Sequence, residues 1–207
     1  MSLIKKWQIE KQDLFTFLPA DKVHLHDQLI AKFFLKFLPT WITPNQITIF
    51  RLLTTPLVFW VTYKESYLLG IVAFLLVAFT DALDGSLART QNKITKFGIL
   101  FDPLADKILI GSMVLLLVFK FLNPWLGVAI IAIEIIFIVS AVIFKYKFKK
   151  TQMANLWGKI KMILQVVAIF LLLLGLLLDY PILLTVASGV FGLVIGFALM
   201  SLFTHGI

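Results

Sequence analysis

Four aspartates define the chemistry open to this chain. Residues 81–106 read DALDGSLARTQNKITKFGILFDPLAD, which sets Asp81, Asp84, Asp102 and Asp106 inside or at the ends of strongly apolar segments. A carboxylate at membrane depth is expensive unless paired, so four together imply a site, most simply one for cations. Asp81 and Asp84 are three residues apart and Asp102 and Asp106 four apart, so on helices each pair shares a face. The connection from Thr90 to Phe97 is short enough to bring the two helix ends together as an antiparallel pair. Mutual repulsion then calls for divalent cations, and hard oxygen ligands suit Mg²⁺ or Mn²⁺. Gly85 and Ala88 leave room for a ligand or a neighbouring helix, and Arg89 can fork onto a phosphate. Together these groups describe a phosphate-bearing substrate held for transfer. A cation carrier also lines its path with carboxylates, but it has no use for a small-residue slot ended by an arginine.

The elements that carry these residues must be membrane helices. The chain has 207 residues, 60% of them apolar and 14% charged, with no cysteine, and its mean hydropathy is +0.99. That composition belongs to one integral membrane domain and excludes disulfides, thiolate metal sites and cysteine nucleophiles. Met1 to Lys22 holds several charges and no long apolar run, so a cleavable signal is not expected. Crossing about 30 Å of hydrocarbon takes roughly 20 helical residues. Six apolar runs qualify: Asn45 to Tyr63, Tyr67 to Arg89, Gly98 to Phe119, Pro124 to Phe144, Trp157 to Leu178 and Pro181 to Thr204.

Lysine and arginine orient the bundle. Six lysines precede the first span, Arg89, Lys93 and Lys96 separate the second and third, and Lys145, Lys147, Lys149, Lys150, Lys159 and Lys161 surround the fourth junction. Only Lys64 and Lys120 fall in the alternate loops, which predicts cytoplasmic termini and a cytoplasmic aspartate cluster in a cell (inner) membrane. The net charge of +8 serves this orientation and attracts anionic lipid, with no need of nucleic acid. Ahead of the spans, Leu25, Leu29, Phe33 and Phe37 recur at helical spacing with Lys32 and Lys36 on another face, as in an interfacial amphipathic helix. The expected fold is therefore all-α: an arm over residues 1–44, then a six-helix membrane domain over 45–207.

The aspartate segment fits DxxDGxxARx8Gx3Dx3D at Asp81, Asp84, Gly85, Ala88, Arg89, Gly98, Asp102 and Asp106. On that motif the chain resembles the CDP-alcohol phosphatidyltransferase family. TPNQITIFRLLTTP at 43–56 is similar to the family's first span, and GKIKMILQ at 158–165 to the basic segment opening its fifth. The resemblance implies a six-helix, usually homodimeric transferase that joins the phosphatidyl group of a CDP-linked lipid to a polar alcohol acceptor and releases CMP. It assigns Asp81, Asp84 and Asp102 to a two-metal site for Mg²⁺ or Mn²⁺, with Asp106 as base and further ligand. Gly85, Ala88 and Arg89, with Asp84, would contact the CDP moiety of CDP-diacylglycerol. Glycerol 3-phosphate leads as acceptor, which would give phosphatidylglycerophosphate. Phosphatidylglycerol, as in cardiolipin synthesis, is the closest competitor, and inositol phosphate stays open.

Other residues bear on the acceptor and the packing. Arg51, one turn beyond Asn45 and Thr48, is too deep for a surface charge and should pair with the aspartates or a substrate phosphate. Lys159 or Lys161 could hold an acceptor's phosphate. Glu134 sits alone mid-span and must find a partner elsewhere or stay neutral. Members that make phosphatidylglycerophosphate commonly carry arginine before that glutamate; Ile133 stands here, which weakens the case for glycerol 3-phosphate. Gly98 is either a close-packing residue or a ligand contact, Pro103 is expected to shape the first turn of its helix, and Lys107 reads as a counter-ion. His24, His26 and His205 read as solvated interface residues.

Overall fold

The computed structural model describes residues 17–18, 25–39, 41–148 and 156–204. His24, His205, Lys5, Lys6, Lys11, Lys22, Lys149 and Lys150 lie outside the described residues, as do the side chains of Leu25, His26, Phe37, Lys145 and Lys147. The fold is helical: α1 (Leu25–Phe33), α2 (Pro44–Tyr63), α3 (Tyr67–Thr90), α4 (Lys96–Phe121), α5 (Pro124–Phe148), α6 (Leu156–Leu177) and α7 (Pro181–Thr204). The six long helices fall on the six expected segments, with limits moved by a few residues. Among the described residues three of them, α3, α6 and residues 181–202 of α7, are long and apolar enough to cross a membrane. In α2 and α4 the apolar run is interrupted by Arg51 and by Asp102, Asp106 and Lys107, side chains in or beside the aspartate motif. α1 is shorter than its sequence pattern, giving way to a single 3₁₀ turn at Leu35–Phe37. Its Leu29 and Phe33 are exposed, as is Trp41 just beyond.

The described residues up to Val58 and those of 73–109 make one compact unit, and those of 59–72 and from Ile110 onward a second. In the first unit, helix starts are set by side-chain caps. Thr43 and Gln46 form a reciprocal capping box: the Thr43 amide donates to Gln46 Oε1 at 2.8 Å and the Gln46 amide to Thr43 Oγ1 at 3.4 Å. Pro44 occupies the first helical position, where its missing N–H costs nothing. At the start of α4, Thr95 Oγ1 accepts from the Gly98 amide at 3.0 Å. That cap starts the helix at Lys96, so Pro103 lies inside α4 and not in its first turn as the sequence suggested. Ile94–Thr95 also pairs antiparallel with Phe17–Leu18, a two-residue ladder (β1, Phe17–Leu18; β2, Ile94–Thr95) that the all-helical reading did not contain.

α3 ends in a Schellman cap. The Lys93 amide reaches back to the Ala88 carbonyl at 2.9 Å, and Asn92 takes the left-handed conformation, φ 52°, which asparagine tolerates better than most residues. The chain thus reverses within a few residues of Arg89, and the connection to α4 is tighter than the eight residues expected.

The second unit contains the α6–α7 hairpin, whose helices pack along their length. Gly175 makes the approach possible, because a Cβ there would lie 2.5 Å from Leu184 Cδ1 and 2.9 Å from Leu183 Cβ. Its core includes Met113, Leu117, Ile169, Leu172, Leu173 and Phe191, all fully buried.

Candidate active site

Arg51 is the centre of the site. Its side chain is completely buried on α2 and uses all three kinds of guanidinium nitrogen. Nε donates to Thr80 Oγ1 at 3.2 Å and Nη1 to Asp81 Oδ1 at 2.6 Å, while Nη2 donates to Asp84 Oδ2. The expectation that this deep arginine pairs with the aspartates is met by Asp81 and Asp84, its partners across α3. One turn earlier, Thr48 Oγ1 lies 2.5 Å from Asp102 Oδ1, 3.4 Å from Asp84 Oδ2 and 3.2 Å from the Pro44 carbonyl. A hydroxyl has one proton, so the Asp102 contact takes it and fixes that carboxylate. Thr48 and Arg51 therefore tie Asp81, Asp84 and Asp102 into one cluster drawn from α2, α3 and α4.

Asp106 lies one turn beyond Asp102 on α4 and is half-buried. Around the start of α4, the Thr95 hydroxyl donates to Asn45 Oδ1 at 2.6 Å. A Cβ on Gly98 would meet Asp102 Oδ2 at 3.2 Å, Thr95 Oγ1 at 3.4 Å and Asn45 Oδ1 at 3.6 Å. Of the two sequence readings of Gly98, close packing is the one this geometry favours.

The motif's small residue and arginine are linked in the same way. Arg89 folds back over Gly85, whose hypothetical Cβ would stand 3.0 Å from Nη2 and 3.3 Å from Nη1. The Nε–Nη2 edge of the guanidinium is held by Asp27 of α1, at 2.9 Å from Nε and 2.7 Å from Nη2. The Ser86 hydroxyl donates to the same carboxylate at 3.0 Å.

The donor set fits a hard divalent cation. The cluster holds three carboxylates and one guanidinium, which bonds two of them, so it keeps a surplus of two negative formal charges on oxygen donors, which Mg²⁺ or Mn²⁺ would offset. Among the described residues no three acidic side chains already close on a single metal position. Arg51 acts as the cluster's built-in cation and neutralises part of it.

The acceptor candidates divide. Lys159 is exposed, whereas Lys161 is buried and bonds Glu134 Oε1 at 2.6 Å, with its ammonium 4.5 Å from the centre of the Phe137 ring. Gln165 Nε2 donates to the same Glu134 oxygen at 2.8 Å. Glu134, isolated in its own span, thus finds its partners on α6. Sequence reasoning missed Asp27, Thr80 and Ser86 as members of the site and noticed Thr48 only for its phase. Thr48 and Arg51 share a helix face one turn apart, which could have marked the threonine. Nothing local marks Asp27, which lies 62 residues from Arg89.

Comparison with known proteins identifies the family to which this sequence is similar. The family model described as CDP-alcohol phosphatidyltransferase matches residues 41–201. A Rickettsia felis protein named CDP-diacylglycerol--glycerol-3-phosphate 3-phosphatidyltransferase is 41% identical over 80 residues, 37% of this chain and 44% of that protein. The chain therefore spans less than half the length of that relative. An Aquifex aeolicus protein of the same name is 33% identical over 142 residues, 67% of this chain and 78% of the relative. A Drosophila melanogaster protein named "Probable cardiolipin synthase (CMP-forming)" is 34% identical over 99 residues, 47% of this chain and 31% of the relative.

Proposed function

The chain belongs to the CDP-alcohol phosphatidyltransferase family, and from that premise we propose that it transfers the phosphatidyl group of CDP-diacylglycerol to glycerol 3-phosphate, giving phosphatidylglycerophosphate and CMP. The observation that carries the reading is the cluster itself, in which Arg51 and Thr48 tie three motif aspartates together on the unit that also presents Arg89. The names of the Rickettsia and Aquifex relatives support glycerol 3-phosphate as acceptor.

In this proposal Asp81, Asp84 and Asp102 would hold two divalent ions, Mg²⁺ or Mn²⁺, with Asp106 as base and further ligand. When bound, such ions polarise the pyrophosphate and stabilise the charge on departing CMP. Gly85, Ala88 and Arg89 receive the CDP moiety, and the Arg89 guanidinium donates to a phosphate. Asp106 accepts the proton of the acceptor hydroxyl. The freed oxygen bonds to the lipid-bearing phosphorus, the bond from that phosphorus to the bridging oxygen breaks, and CMP leaves with the electron pair. Of the basic candidates for the acceptor's phosphate, Lys159 is exposed, while a phosphate reaching Lys161 would compete with Glu134.

The same proposal places all six long helices across a cell membrane, α1 in its interface, and both termini and the aspartate cluster on the cytoplasmic side, in a homodimer. The lysine distribution supports that orientation. A second reading, cardiolipin synthesis from phosphatidylglycerol, is favoured by the fly relative's name, and Ile133, where phosphatidylglycerophosphate-forming members commonly carry arginine, weakens the case for glycerol 3-phosphate. The test is an acceptor panel. Purified protein with CDP-diacylglycerol and Mg²⁺ should carry labelled glycerol 3-phosphate into the lipid phase, and labelled phosphatidylglycerol appearing as cardiolipin instead would favour the second reading.

A further inference from the structure

An arginine that grips a phosphate must itself be held, and what holds Arg89 comes from outside the motif. Asp27 stands in the first turn of α1 and is completely buried. Its carboxylate accepts from Ser86 Oγ, Arg89 Nη2 and Arg89 Nε, a side-on fork closed from below by a buried hydroxyl. Gly85 lets the guanidinium lie flat against the α3 backbone. The Arg89 side chain is nevertheless 34% exposed. Asp27 engages only the Nε and Nη2 edge, so Nη1, with two N–H donors, faces no acceptor among the bonds described.

We propose that Asp27 is a positioning residue that fixes the Arg89 guanidinium and presents its Nη1 amino group to a phosphate oxygen of the nucleotide-bearing lipid. The proposal rests on the transferase reading above and adds to it a residue of the N-terminal arm. The alternative is a latch, in which Asp27 and the phosphate compete for the same edge of Arg89. Burial argues against competition, because a phosphate that took that edge would part a buried carboxylate from the guanidinium that balances its charge. A fixed arginine also loses its rotamer freedom during folding and not at each binding event, which favours the substrate.

The test uses full-length protein in vesicles, with CDP-diacylglycerol varied at saturating acceptor. Asp27→Asn keeps the size and sets an amide N–H₂ against the guanidinium donors. It should raise the KM for CDP-diacylglycerol about tenfold or more, the scale of one charge-assisted hydrogen bond. The acceptor KM should stay within a factor of about two. Ser86→Ala, which removes one support of Asp27 and leaves the charges alone, should raise the same KM by a smaller factor, and it decides the matter should Asp27→Asn not fold. In an Arg89→Ala background, Asp27→Asn should not weaken CDP binding further. An unchanged KM in the folded variants would overturn the proposal, and a lowered KM would replace it with the latch. Wild-type protein that neither binds CDP nor releases CMP would instead refute the transferase reading, and this inference with it.

Discussion

Replacing Arg51 by glutamine should turn a partly neutralised carboxylate cluster into one that depends on added metal for its stability. The side chain of Arg51 is 0% exposed and that of its partner Asp84 2%, whereas Asp81 is 40% exposed. Removing one member of a buried ion pair costs about 3–5 kcal/mol, because the other charge stays behind unpaired. The Asp81 half of the contact is screened by its exposure, so the Asp84 half dominates and the lower end, about 3 kcal/mol, is expected. The variant cluster carries one more uncompensated negative charge than the wild type. Mg²⁺ should therefore bind it more tightly, and an ion at a hundred times its Kd returns about 2.7 kcal/mol. The assay is unfolding in mixed detergent–SDS micelles, followed by tryptophan fluorescence with EDTA and with a Mg²⁺ series. In EDTA the variant should unfold well before the wild type, and Mg²⁺ should narrow the gap. A variant as stable as wild type in EDTA, or equal Mg²⁺ stabilisation of both, would refute the electrostatic reasoning.

Gly85→Ala should leave helix stability intact or raise it by up to about 1 kcal/mol. The same change should increase the KM for CDP-diacylglycerol, because the new methyl meets Arg89 Nη2 at 3.0 Å; thermal melts and steady-state kinetics check the two halves. Glu134→Ala should destabilise the chain by about 3 kcal/mol by stranding the buried Lys161 ammonium, and adding Lys161→Met should recover most of the loss in the same unfolding assay. Asp106→Asn should abolish CMP release while CDP-diacylglycerol binding, read by equilibrium titration, stays within a few-fold of wild type. Retained turnover would remove Asp106 from the role of base.

The long helices were legible because each is an apolar run bounded by polar breaks, and length alone places them. The site was legible where local spacing encodes it: Asp81 with Asp84, Asp102 with Asp106, and Gly85 with Arg89 are neighbours on single helices. Glu134 was recognisable as a charge in need of a partner, but its meeting with Lys161 and Gln165 is tertiary and left no mark on either segment. The same holds for Asp27, whose place in the first turn of an amphipathic helix reads as an ordinary favourable charge at a helix N-terminus. Pro103 misled for a local reason. A proline normally marks a helix start, but the Thr95 hydroxyl caps α4 well before it.

The measurement that bears most directly on the proposed activity is CMP release from CDP-diacylglycerol by purified wild-type protein, with acceptor and metal varied in turn. The expected result is one CMP for each phosphatidylglycerophosphate formed, requiring both glycerol 3-phosphate and Mg²⁺ or Mn²⁺, and abolished by EDTA. No CMP from any alcohol acceptor with either metal would contradict phosphatidyl transfer as the function of this aspartate cluster.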